Sequence, residues 1–201
     1  MAASGLMTLL RAIVGGDDAA VRRLLAATPA LVSARVVSGA TRQEAKAYFL
    51  EEISHYVYAG DTALHVAAAA HRLKLVQRLI ELGADVRARN RRGAEPLHYA
   101  VDGGPGSPSS DAQAAIVTAL IGAGADPNAV DQSGVAPLHR AVRNRCALAV
   151  RALLDGGADP LRKNKSGSTP MQLATQTTGK SGSGSPEAKA QQEEIVALLS
   201  R

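Results

Sequence analysis

Apolar residues along the chain recur at helical spacing, in short bursts separated by Gly-, Pro- and Ser-rich breaks. Leu9, Leu10, Ile13 and Val14 make a first stripe, which Gly15-Gly16 ends. Asp17-Asp18 then suits a helix start, where carboxylates meet free amides and the positive end of the helix dipole. Val21, Leu24 and Leu25 continue as V-x-x-L-[LI], a pattern that returns at Val76, Leu79 and Ile80. Ala67–Ala70 gives the helix before that second copy a smooth flank, which permits close approach of a neighbour. Between roughly 41 and 57 the run TRQEAKAYFLEEISHYV places Ala45, Phe49, Ile53 and Val57 four apart, which predicts a further helix. GGPGSPSSD and GKSGSGSPEAK cannot continue a helix and read as surface loops. A last helix carries Ile195, Val196 and Leu199 to close the array, with Glu187, Lys189, Glu193 and Glu194 on its wet side.

The bursts have a period. His65, His98, His139 and Gln172 occupy equivalent places, spaced 33, 41 and 33 residues apart. The turns Gly83-Ala84-Asp85, Gly124-Ala125-Asp126 and Gly157-Ala158-Asp159 keep the same steps of 41 and 33. A fixed step near 33 means stacked units and not a closed globule. The 41-residue step holds an 8-residue excess in the GGPGSPSSD loop. The first stripe stands about 22 residues too far upstream, and that excess runs from Val36 to about Tyr58.

The residues that carry the period are TALH (Thr62–His65), EPLH (Glu95–His98), APLH (Ala136–His139) and TPMQ (Thr169–Gln172). In this arrangement they resemble ankyrin repeats. The resemblance implies an all-α solenoid of helix-turn-helix units joined by short β-hairpin-like turns. One domain, 1–201, would hold about five repeats: 6–35, 58–90, 91–130, 131–164 and 165–201, with the added helix at 41–57. The first is a degenerate N-terminal cap whose Arg11, Arg22 and Arg23 supply a wetter outer face. Glu95 and Ala136 stand where the family has Thr, which alters the hydroxyl cap, and Gln172 stands where it has His.

Composition narrows the function. Aromatic residues make up 2% of the chain, fewer than a sandwich or an α/β enzyme of this size carries. Four of the five (Tyr48, Phe49, Tyr56 and Tyr58) fall in the inserted segment, either as packing between the first two repeats or as anchors for a partner. Cys146 is the only cysteine, so no internal disulfide forms, and it reads as a packing thiol. The net charge of +5, with Arg ahead of Lys, admits an acidic partner. The apolar N-terminal run is broken by Arg11 and makes a poor signal peptide, and no stretch approaches the ~20 residues that span a bilayer. A monomer in the cytoplasm is expected.

By the resemblance, hairpin tips and inner-helix ends form the partner-binding face. They are Tyr58 and Asp61, then Arg91, Arg92 and Asp102, then Gln132, Arg143 and Asn144, then Lys165 and Ser166. This implies a non-catalytic protein-interaction module whose concave, Arg-rich face takes an acidic segment, with Tyr58 as its apolar anchor. Nucleic acid is the alternative occupant, weakened because only Tyr58 and Tyr99 offer stacking platforms there. ATQTTGKS (Ala174–Ser181) is a relaxed phosphate-loop pattern, but a helix and not a strand feeds it, so nucleotide binding ranks last. No cofactor is implied. No zinc spacing or nucleophile–base pair is present, and His65, His98 and His139 are expected to hydrogen-bond neighbouring turns.

Overall fold

A computed structural model describes residues 2–103, 110–176 and 186–201. Contacts divide the chain into two compact units, residues 1–100 and 101–201. The sequence loops 104–109 and 177–185 lie outside the described residues, and with them most of ATQTTGKS.

In the first unit, α1 (Ala2–Val14) packs on α2 (Asp18–Ala27) and on α3 (Ala63–Ala69). Leu6, Leu9, Leu10 and Ile13 are fully buried there, which accounts for the first apolar stripe. Asp17 caps α2 by accepting the Ala20 N–H at 2.8 Å. All seven residues of α3 are buried, so its Ala-rich sequence reflects contact on every side. α4 (Leu73–Glu81) buries Leu75, Val76 and Leu79 and exposes Gln77 and Arg78, the two-sided pattern of an outer helix. α5 (Pro96–Ala100) is buried throughout and packs on α3.

The inserted segment is not a helix. It folds as a 3-10 turn (Lys46–Tyr48), β1 (Phe49–Leu50), a second 3-10 turn (Glu51–Ile53) and β2 (His55–Tyr56). β1 and β2 are antiparallel, with Phe49 opposite Tyr56 and Leu50 opposite His55. The four-residue spacing of Ala45, Phe49, Ile53 and Val57 loses to non-local pairing. Val57 N–H donates to the Tyr48 carbonyl at 2.8 Å, and Ala40 N–H donates to the Val57 carbonyl at 2.7 Å. The stretch 36–40 also bonds to the next turn, where Gly60 N–H donates to Val36 O and Val36 N–H to Asp61 O. Leu50 and Val57 enter the core, while Phe49 stays half-buried.

In the second unit, α6 (Ser110–Gly122) packs along α8 (Ala147–Asp155). Ile116, Val117 and Leu120 meet the same core as Val150 and Leu153, all of them fully buried. α7 (Pro137–Arg143) packs on α8 and on α9 (Pro170–Thr175), and α10 (Pro186–Leu199) covers α9 and α8. Ile195 and Leu198 are its buried residues, so the closing stripe is set one residue off from the expected Val196 and Leu199, which are only half-buried. Cys146 is buried at the start of α8, and burial pushes its thiol above the ordinary range, as befits a packing residue.

The Gly-Ala-Asp turns close α4, α6 and α8 by one device. Gly83 adopts φ +87° to end α4, Ala84 is buried, and the Asp85 carboxylate accepts the Arg87 N–H at 2.9 Å. Asp126 and Asp159 do the same for Asn128 and Leu161, at 2.8 and 2.9 Å. Among the described residues no helix is long and apolar enough to cross a membrane.

Candidate partner-binding site

Each hairpin tip is built by one side chain. Asn90 Oδ1 accepts the N–H groups of Arg92 and Ala94, at 2.9 and 3.1 Å. Asp131 Oδ1 accepts those of Ser133 and Val135, at 2.8 and 3.1 Å. Asn164 Oδ1 accepts those of Ser166 and Ser168, both at 3.0 Å. The three stand 41 and 33 residues apart, on the same period as the histidines. Their short polar side chains hold the tip backbone and leave the residues between them to solvent.

In the first unit this brings Tyr58, Arg91 and Arg92 together. The Arg91 and Arg92 guanidinium carbons lie 5.4 and 5.0 Å from the centre of the Tyr58 ring. Arg92 Nη1 also donates to the Tyr58 hydroxyl at 2.9 Å, and Arg91 Nη2 donates to the Ala40 carbonyl. The Arg91 N–H donates to Ala59 O at 2.7 Å, joining the two tips. Both arginines are exposed and Tyr58 is half-buried. Stacking on a ring face holds two cations side by side on the surface.

Asp61, expected as a contact residue, is instead fully buried and cannot present its carboxylate to a partner. Oδ2 accepts Tyr58 N–H at 2.7 Å and the Tyr99 hydroxyl at 3.0 Å, and Oδ1 accepts Asn90 Nδ2 at 2.9 Å. Asn90 Nδ2 also donates to Tyr99 Oη at 2.9 Å. One carboxylate therefore fixes the backbone of Tyr58 and, through Asn90, the loop bearing Arg91 and Arg92. Tyr99, expected as a stacking platform, is 2% exposed and serves this network.

In the second unit, Arg140 bridges Asp102 and Asp131, with Nη1 2.9 Å from one carboxylate and Nη2 3.0 Å from the other. Burial opposes the charge on Asp131, yet hydrogen bonds from the Val135 N–H, the Arg140 guanidinium and the Ser133 N–H hold it below the ordinary carboxylate range. Asp102 is thus committed to an internal ion pair. Arg140, which the sequence reading did not select, neutralises both acids. Asn144 Nδ2 donates to the Val101 carbonyl at 2.7 Å. Arg143, Gln132, Lys165 and Ser166 are exposed, and Lys165 N–H donates to Ser133 O at 3.1 Å, which joins the tips carrying Gln132 and Lys165.

The histidines do what their period suggested. His65 Nδ1 accepts the Thr62 N–H at 3.2 Å, so Nε2 carries the proton and donates to Ala94 O at 3.2 Å. His139 repeats both contacts, with Ala136 N–H and Ser168 O, each at 3.2 Å. At Glu95 the backbone N–H still donates to His98 Nδ1, at 3.1 Å, so the bond survives where Thr is missing. Gln172 Oε1 accepts Thr169 N–H at 2.9 Å and so replaces the ring.

Burial pushes His65 and His139 below the ordinary 6.5, more than Asp61 or the carbonyl hydrogen bonds raise them. The unfolded chain therefore takes up these protons first as pH falls. Stability is full above about pH 6.5 and is lost as pH drops through the folded values. Urea unfolding between about pH 8 and 5 is expected to show this slope. His139→Gln, which copies residue 172, is expected to fold and to flatten part of it; an unchanged slope would contradict the assignment.

Histidine-linked turns repeated at one period, with Asx-held tips, define a repeat scaffold. The chain belongs to the ankyrin-repeat family, an all-α solenoid fold. It matches the family described as "Ankyrin repeats (many copies)" over residues 58–107 and 120–174, and "Ankyrin repeat" over residues 92–132. Over 45 residues it is 47% identical to Notch-regulated ankyrin repeat-containing protein A of Danio rerio, and equally to the Notch-regulated ankyrin repeat-containing protein of Homo sapiens. Those 45 residues are 22% of this chain and 40% of each relative's length. Ankyrin repeats are in general non-catalytic protein–protein interaction modules.

Proposed function

We propose that the chain is a monomeric, cytoplasmic, non-catalytic module that holds an acidic segment of another protein on its Arg-bearing hairpin tips. The reading rests on the Tyr58–Arg91–Arg92 cluster, where two exposed guanidinium groups are held on one ring. Among the described residues no carboxylate pairs with Arg92 across the tip. Arg143 and Lys165 supply cations on the second unit, with Gln132 and Ser166 as polar neighbours. Asp61, Asp102 and Asn144 have internal partners and take no contact role in this proposal.

Exposed charges of this kind steer association and are screened by salt, with a Debye length of about 10 Å at 0.1 M. Capture from cell extract at about 50 mM salt is expected to yield a partner that about 500 mM salt releases. Arg91→Glu/Arg92→Glu/Arg143→Glu is expected to abolish that capture with the fold intact by circular dichroism. A partner retained by the triple variant at high salt would overturn the proposal, and one lost on nuclease treatment would replace it with nucleic acid.

A further inference from the structure

The inserted hairpin adds something that the repeats lack. Along 55–58 burial alternates: His55 packs its ring 4.5 Å from Tyr99, Tyr56 is 39% exposed, Val57 is fully buried, and Tyr58 is half-exposed beneath the arginines. That is the two-residue period of extended chain, which sets Tyr56 and Tyr58 on one side. Tyr56 is paired across the hairpin with Phe49, ring centroids 4.7 Å apart. Beyond that pair the hairpin ends in the turn Glu51–Ile53, where Glu51 and Glu52 are exposed. The surface of the first unit thus runs in order from an acidic tip, to an aromatic pair, to two cations on a ring.

We infer that this strip is a docking site for an extended peptide with an apolar residue two positions from an acidic one. It rests on the reading above and makes it specific. In an extended peptide, side chains two residues apart point the same way and stand about 6.5 Å apart, the step that the alternating burial of 55–58 implies for Tyr56 and Tyr58. The apolar side chain lies on the Phe49–Tyr56 rings. The carboxylate meets Arg91 and Arg92 through charge-assisted hydrogen bonds. Glu51 and Glu52 repel an acid at the opposite end, so the strip also sets the direction in which the peptide lies. Aromatic and arginine side chains are the residue types that dominate interface energetics.

Selection of a random dodecapeptide display library on the immobilised full chain tests this. The expected consensus is apolar–any–acidic, and the best peptide, fluorescein-labelled, is followed by anisotropy. Tyr56→Ser changes an exposed side chain and is expected to weaken it about tenfold or more and to remove the apolar preference. Arg92→Glu is expected to remove the acidic preference. A consensus of acidic residues alone, indifferent to Tyr56→Ser but lost with Arg92→Glu, overturns the inference and leaves the acidic-partner reading standing. A library with no enrichment, or a consensus indifferent to both variants, overturns both.

Discussion

Asp61→Ala is expected to lower the unfolding free energy by about 3–5 kcal/mol, at the top of the range for single substitutions. The variant leaves three donors unmet in a dry place: the Tyr58 N–H, Asn90 Nδ2 and the Tyr99 hydroxyl. Each stranded donor costs about 1–3 kcal/mol, and Asn90 Nδ2 keeps only its existing bond to Tyr99 Oη. Asp61→Asn keeps the shape and one acceptor oxygen and is expected to cost less. Urea denaturation at neutral pH measures both. A loss below about 1 kcal/mol for Asp61→Ala would show that water or rearrangement satisfies these groups. Peptide binding should weaken as well, since Tyr58 and the Arg91–Arg92 loop both take their position from this carboxylate.

The second large effect is expected at Gly60, and Gly167 is its internal control. Both hold a left-handed backbone, with φ +90° and +81°. At Gly167 an added Cβ meets nothing within 4 Å, so Gly167→Ala is expected to cost only the conformational penalty of about 1–2 kcal/mol. At Gly60 the same Cβ would come within 2.7 Å of Asn90 Cα and 3.1 Å of Arg89 O, both backbone atoms of the adjoining tip. Gly60→Ala must therefore push the tips apart and is expected to cost about 3 kcal/mol or more. Gly134 shows that the cause is stacking, because its Cβ would meet Lys165 N at 2.8 Å. Equal thermal shifts for Gly60→Ala and Gly167→Ala would refute that explanation.

The repeat period, the helix pairs and the histidine contacts were legible because each depends on residues close in sequence. TALH, APLH and TPMQ state their own hydrogen bonds, since residue and partner lie three apart. The inserted segment was misread because its stripe of Ala45, Phe49, Ile53 and Val57 is a local signal, whereas the pairing of Val57 with Ala40 comes from outside the window. Asp61 was misplaced for a related reason. Its position at a tip suggested exposure, and the partners that bury it, Asn90 and Tyr99, lie 29 and 38 residues away. Arg140 escaped notice because only folding brings Asp102 to it, although Asp131 nine residues before it was a signal available in the sequence. Arg91 and Arg92 were found as charged tip residues, and their common seat on Tyr58 became visible only in three dimensions.

The tip-building side chains carry a consequence for how such arrays diversify. Shaping the loop takes only Oδ1, so the other terminal atom is available for other use. As an amide nitrogen at Asn90 it recruits the carboxylate of Asp61; as a second oxygen at Asp131 it recruits the guanidinium of Arg140. A single-atom exchange, N for O, thus changes the sign of the local partner while the backbone path is preserved. At Asn90 the exchange would set a second carboxylate against the fully buried Asp61, so a change of sign there calls for a matching change in its partner.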